Sequence, residues 1–199
     1  SSDLDLMGHH MRYNMEDVRA MLDSLTLEND GVDGSKIYVY GEGWNFGEVQ
    51  DNARGVNATQ QNMGGVGIGT FNDRLRDAVR GGSPFGDREF QGFISGLSLY
   101  DNGLTAGTPE EQRARLLLFA DQIRIGLAGN LRDFSFIGAV GDSVTGADIV
   151  YNGSPAGYTL DPQEQIVYIS KHDNETIWDI LMYKQLPGVT VDDYVRINN

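Results

Sequence analysis

Residues 36–44 read Lys-Ile-Tyr-Val-Tyr-Gly-Glu-Gly-Trp. Five residues rich in β-branched and aromatic side chains predict a buried strand, and the glycine pair around Glu42 ends it, leaving an acid and Trp44 just beyond. Upstream, residues 1–6 alternate apolar and acidic positions and read as a strand end opening into Gly8-His9-His10. Between them Met11, Met15, Val18, Met21, Leu22 and Leu25 recur at three- and four-residue spacings, an amphipathic helix over about 11–27. Downstream, residues 45–65 read as a long polar loop and 66–71 as a third strand. Asn72 then caps a helix over 73–80 that the Gly81-Gly82 pair closes.

After an irregular stretch, Thr108-Pro109-Glu110-Glu111 has a capping hydroxyl, a proline suited to the first turn and acids facing the helix dipole, so a long helix is expected to about Leu127. Residues 129–165 form a Gly-, Asp- and Ser-rich excursion with room for a small hairpin. A fourth strand is expected over 165–170, and a last helix over about 175–184. This alternation is that of α/β units around a parallel sheet.

The composition sets outer bounds. Twenty-nine Asp and Glu against fifteen Lys and Arg leave a net charge of −14, and no basic cluster of the kind phosphate recognition needs is visible. There is no cysteine, which excludes disulfide frameworks, thiolate metal sites and cysteine nucleophiles. No apolar run approaches the roughly 18 residues of a membrane span. The first residues carry neither the basic start nor the apolar segment of a signal peptide, and the chain does not begin with Met, so a start in mid-gene or after processing is expected.

Three of the expected strand ends carry a carboxylate: Asp5, Glu42 and Asp173. In a parallel barrel or open sheet the C-terminal strand ends face one mouth, so these acids can converge there. Two carboxyl groups flanking a bond are the minimum equipment for glycoside hydrolysis. Taken singly, each acid also reads as a helix cap or a solvated loop residue, and Trp44 as a sugar-stacking platform or a half-buried core residue. The adjacent His9 and His10 lack a spaced third metal ligand, and no EF-hand pattern is present.

The same strand ends carry a resemblance. LDLMGHH (4–10), IYVYGEGWN (37–45), GIGTFNDRLRDAVRGGSPF (67–85), IVYNGSPAGYTLDPQEQ (149–165) and YISKHDNETIWD (168–179) are similar, in order and spacing, to motifs of pullulanase-type, limit dextrinase-like debranching enzymes of the α-amylase superfamily, glycoside hydrolase family 13. The resemblance implies a (β/α)8 TIM barrel and a retaining hydrolysis of α-1,6 branch linkages in pullulan, amylopectin or limit dextrins. Asp5 would be the nucleophile, Glu42 the general acid and base, and Asp173 the third acid. His172 would bond the same sugar, Trp44 would stack on substrate, and Asn174 and Met7 would be further substrate contacts. Neighbouring carboxylates would raise the Glu42 pKa as its role as acid requires. No metal or organic cofactor is implied for the chemistry, a structural calcium being compatible with the full-length enzyme. The partner is a branched α-glucan or oligosaccharide, with no nucleic acid and no membrane span, and a secreted or periplasmic location is expected ahead of cytoplasm or plastid.

Two departures accompany the match. The family has Arg two residues before the nucleophile, where this chain has Asp3, an acid expected to raise the pKa of Asp5. Moreover, a barrel takes about 250 residues. Residues 1–199 are therefore expected to be a partial catalytic domain holding approximately strands four to seven, without strands one to three and eight, and with little or no activity alone. The alternatives are an α-1,4-acting amylase or glucanotransferase, which shares the acid trio, and a non-catalytic carbohydrate-binding homologue.

Overall fold

The computed structural model describes residues 2–184 and 188–199. Its strands and helices are, in chain order, β1 (Ser2–Leu4), α1 (Arg12–Asp23), α2 (Leu27–Asp30), β2 (Val39–Gly41), α3 (Gln60–Met63), β3 (Gly69–Phe71), α4 (Asp73–Arg80) and α5 (Pro109–Leu127). There follow β4 (Ser135–Ile137), β5 (Ser143–Thr145), β6 (Val150–Tyr151), β7 (Ser154–Pro155), β8 (Gln165–Ile166), α6 (Ile177–Lys184) and α7 (Val191–Asn198). The central sheet has the order β1-β2-β3-β8 and is parallel throughout, with Asp3 opposite Tyr40, Tyr40 opposite Gly69, and Thr70 opposite Gln165. Consecutive parallel strands joined by helical crossovers form an arc of a (β/α)8 barrel. The excursion between β3 and β8 carries two antiparallel hairpins, β4–β5 and β6–β7, where one was expected.

The helix starts lie where their capping chemistry puts them. The Asn72 side chain accepts from Leu75 N at 3.2 Å and opens α4. Thr108 and Glu111 cap α5 reciprocally, Glu111 N donating to Thr108 Oγ1 at 3.3 Å and Thr108 N to Glu111 Oε2 at 2.8 Å. The apolar stripe of α1 meets the sheet through Met15, in a core with Met7, Val39, Ala58, Met63 and Ile68. Arg19 ties α1 to the approach of β2, donating to Gly34 O and Ile37 O at 2.8 and 2.6 Å. A second core joins α4 to α6 through Leu75, Val79, Ile177 and Leu181.

The expected strands are shorter than read. The 165–170 run pairs only at Gln165 and Ile166, after which the chain leaves the sheet; residue 1 of the first run lies outside the described residues. Residues 45–65 are not a plain loop, for they hold a 3-10 segment at Gly47–Asn52 and the α3 turn. The loop before β3 is locked to the loop before β8 by Glu164, which is fully buried. Its Oε1 accepts from Gly65 N and Gly67 N at 2.7 and 2.9 Å, and its Oε2 from Leu160 N and Asp161 N at 2.9 and 3.2 Å.

Candidate active site

Side chains at the C-terminal ends of β1 and β2 and on the chain beyond β8 line one cleft of about 160 Å³: Asp3, Asp5, Glu42, Lys171, His172 and Asp173. The backbone at its floor is close-packed. Gly8 N donates to Glu42 O at 2.7 Å, and a Cβ on Gly8 would lie 2.2 Å from Trp44 O, so no larger residue fits there. A Cβ on Gly43 would likewise fall 2.9 Å from Gln60 N. Between Asp5 and Met7 the chain turns through Leu6, whose φ of 52° is left-handed, an unfavourable conformation for a leucine. That turn aims Leu6 N at Glu42 Oε2, 3.0 Å away.

Glu42 is the centre of the electrostatics. Its Oε1 lies 2.7 Å from Lys171 Nζ, both side chains being 8% exposed, and the same ammonium stands 3.8 Å from Asp173 Oδ2. Lys171 also lies over the Phe71 ring, 3.9 Å from its centroid, and 5.7 Å from that of Trp44. Burial pushes the Glu42 pKa up, but the hydrogen bonds from Lys171 and Leu6 N outweigh it and hold Glu42 below the usual glutamate range. Asp5 moves the other way. A hydrogen bond with Glu42, and then the Glu42 charge, raise it above the usual aspartate range. The first direction corrects the sequence-based expectation, for a buried lysine faces Glu42 and lowers it; Asp5 is raised as expected, but by Glu42.

A second hollow of about 270 Å³ adjoins the first at Asp173 and is lined by Trp44, Phe46, Arg76, Phe85, Tyr151 and Asn174 among others. The fold thus brings together Asp5, Glu42, Asp173, His172, Trp44 and Asn174. Met7 is not with them. Its side chain is 0% exposed inside the α1 core, so it packs beneath the mouth and has no surface for a ligand. His9 packs edge-on against Phe46 at 4.3 Å, and among the described residues no group of three acids or histidines is placed to hold a metal ion.

The chain is 47% identical over 196 residues to chloroplastic pullulanase 1 of Arabidopsis thaliana, and 43% identical over 197 residues to the pullulanase of Klebsiella aerogenes. The chain is a homologue of part of the pullulanases. These matches take in 98% and 97% of the chain but 20% and 17% of the two pullulanases, so it spans about a fifth of their length. The crystal structure of Klebsiella pneumoniae pullulanase complexed with maltotriose superposes on 98% of the chain, and on 18% of its own, with a TM-score of 0.84 at 40% identity. No family model matches the chain.

Two residues tied to this site give little sign of it in the sequence. Lys171 stands next to the quoted histidine and aspartate, but a lone lysine at a loop start gives no sign that it will be buried against Glu42. Arg80, the last residue of α4, is 5% exposed, and its Nη1 donates to Asn174 Oδ1 at 3.0 Å. Its only sequence signal is the density of arginines in DRLRDAVR, which a solvated helix would show equally.

Proposed function

We propose that the protein carrying this chain is a retaining α-1,6-glucosidase of the pullulanase type, cleaving branch linkages in pullulan, amylopectin or limit dextrins, and that residues 1–199 supply approximately strands four to seven of its barrel. The observation that carries this is the meeting of Asp5, Glu42 and Asp173 in one cleft from sequence positions up to 168 residues apart. Asp5 attacks the anomeric carbon as the glycosidic bond breaks, and Glu42 gives its proton to the departing oxygen. Water then cleaves the glycosyl–Asp5 ester, with Glu42 as base. Asp173 and His172 bond hydroxyls of the same sugar, and Trp44 offers a stacking face.

The opposed pKa directions of Asp5 and Glu42 belong to two carboxyls joined by a hydrogen bond, whose titrations depend on each other. Lys171 and Leu6 N stabilise the Glu42 carboxylate, and the hydrogen bond with Glu42 favours a proton on Asp5. Catalysis requires it on Glu42, leaving Asp5 ionised. A sugar entering between the carboxyls breaks their hydrogen bond, and retaining geometry holds them about 5–5.5 Å apart, which removes the main cause of the raised Asp5 pKa.

One observation favours a second reading, a carbohydrate-binding homologue without turnover: Asp3 lines the cleft, so four carboxyl groups face the single cation Lys171 there. Incubating the full-length protein with pullulan and with amylose separates the possibilities. Release of maltotriose from pullulan supports the debranching assignment, hydrolysis of amylose alone overturns it for an α-1,4 activity, and oligosaccharide affinity without hydrolysis overturns it for binding.

A further inference from the structure

Both ends of the Asn174 amide are engaged. Its Nδ2 donates to Asp173 Oδ1 at 2.8 Å, and its Oδ1 accepts from Arg80 Nη1 at 3.0 Å. A guanidinium only donates. Its presence therefore settles which way the amide faces, oxygen toward Arg80 and NH2 toward Asp173. The reversed amide would aim Oδ1 at the Asp173 carboxylate, oxygen against oxygen, and leave its NH2 against the Arg80 donors.

Arg80 is well placed to hold that choice. It ends a helix whose residues from Arg74 onward are all buried, and the next carbonyl, Gly81 O, accepts from Lys184 Nζ at 2.9 Å. Its Nη2 stands 3.9 Å from Glu175 Oε2, while its buried Nε has no partner. A cation buried with part of its donor capacity unused is poorly explained by stability. Asp173, by contrast, keeps 42% of its side chain exposed and meets Lys171 on its other oxygen.

We infer that Arg80 is a positioning residue, acting through the Asn174 amide to orient the Asp173 carboxylate toward the hydroxyls of a bound glucan. This rests on the glucosidase assignment above. Asn174 accordingly serves Asp173 rather than touching substrate itself.

The test is pullulan hydrolysis by the full-length protein and its variants, with thermal melts alongside. Arg80→Gln is expected to lower kcat about 10- to 100-fold, the scale on which small misplacements of a reacting constellation act, with KM moving less than about threefold. Arg80→Lys keeps a donor and should recover part of that loss, and it carries the test if the glutamine variant fails to fold. Asn174→Asp pairs with Arg80 but opposes Asp173, so kcat should fall and the acid limb of the pH profile should move upward. Arg88→Gln removes the exposed arginine 3.1 Å from Glu175 and should leave kcat and KM unchanged. Unaltered kcat in folded Arg80→Gln or Arg80→Lys, beside an active parent, overturns the inference alone. A parent inactive on pullulan overturns the glucosidase assignment and the inference with it.

Discussion

Lys171 Nζ and Glu42 Oε1 lie 2.7 Å apart although 129 residues separate them in the chain. The pair joins the chain beyond β8 to the end of β2 across the mouth of the barrel arc. It bears on the state of the residue proposed to donate a proton, because an ammonium in contact stabilises the ionised form.

Replacing Lys171 with Met should therefore raise the Glu42 pKa. Glu42 is now held low chiefly by Lys171 and Leu6 N against its own burial, so deleting the ammonium leaves burial to dominate. Glu42 then stays protonated to higher pH, and the alkaline limb of kcat/KM for the full-length protein should move upward. An alkaline limb that stays put, or moves down, would show that Lys171 does not govern the acid.

Glu42→Gln should abolish most turnover. Its amide cannot protonate the leaving oxygen or take a proton from water, and general acid–base catalysis contributes about 10² to 10⁴-fold. Steady-state rates on pullulan measure this; a rate within a factor of a few of the parent removes Glu42 from its role.

Glu164→Gln should destabilise the fold by on the order of 3 kcal/mol. An amide NH2 would face two of the four backbone N–H groups that the carboxylate now satisfies, leaving donors buried without acceptors. Urea unfolding of the two proteins gives the difference directly.

Lys184 makes stability depend on pH in the alkaline range. Burial, and then the Arg80 charge, push its pKa down from 10.5 to about 8. The folded state therefore binds fewer protons than the unfolded state between those values, and stability rises with pH across that window. A neutral amine still has two N–H groups for Gly81 O and Phe90 O. Unfolding curves at pH 8 and pH 10 should show this rise in the parent, and Lys184→Met should lack it.

The 199-residue chain expressed alone should release little or no maltotriose from pullulan. β1 and β8 each pair on one side only in the described sheet, whereas a closed barrel has no such edges. Concentration-dependent association of the isolated chain in light scattering is the expected accompaniment. Robust hydrolysis would show that the arc suffices.

Local chemistry was enough to locate several elements. Asn72 and Thr108 are caps whose hydrogen bonds reach only three residues ahead, so α4 and α5 start where the residues say they do. The 165–170 run read too long because apolar content alone does not make a strand: only Gln165 and Ile166 pair, and Val167 and Ile169 are exposed. α7 was not anticipated, although Thr190 caps it through Asp193 N at 3.3 Å.

By itself the sequence determined the parallel α/β order and the acids at the strand ends, because hydrophobic period and capping act over a few residues. Its ordered motifs also pointed to the pullulanase resemblance. Only the tertiary structure decided which charges face one another. Lys171 against Glu42, Arg80 against Asn174 and Met7 beneath the mouth depend on contacts between residues tens to more than a hundred positions apart. The protonation of Glu42 and Asp5 follows from those contacts and from burial, and neither is a property of the residues on their own.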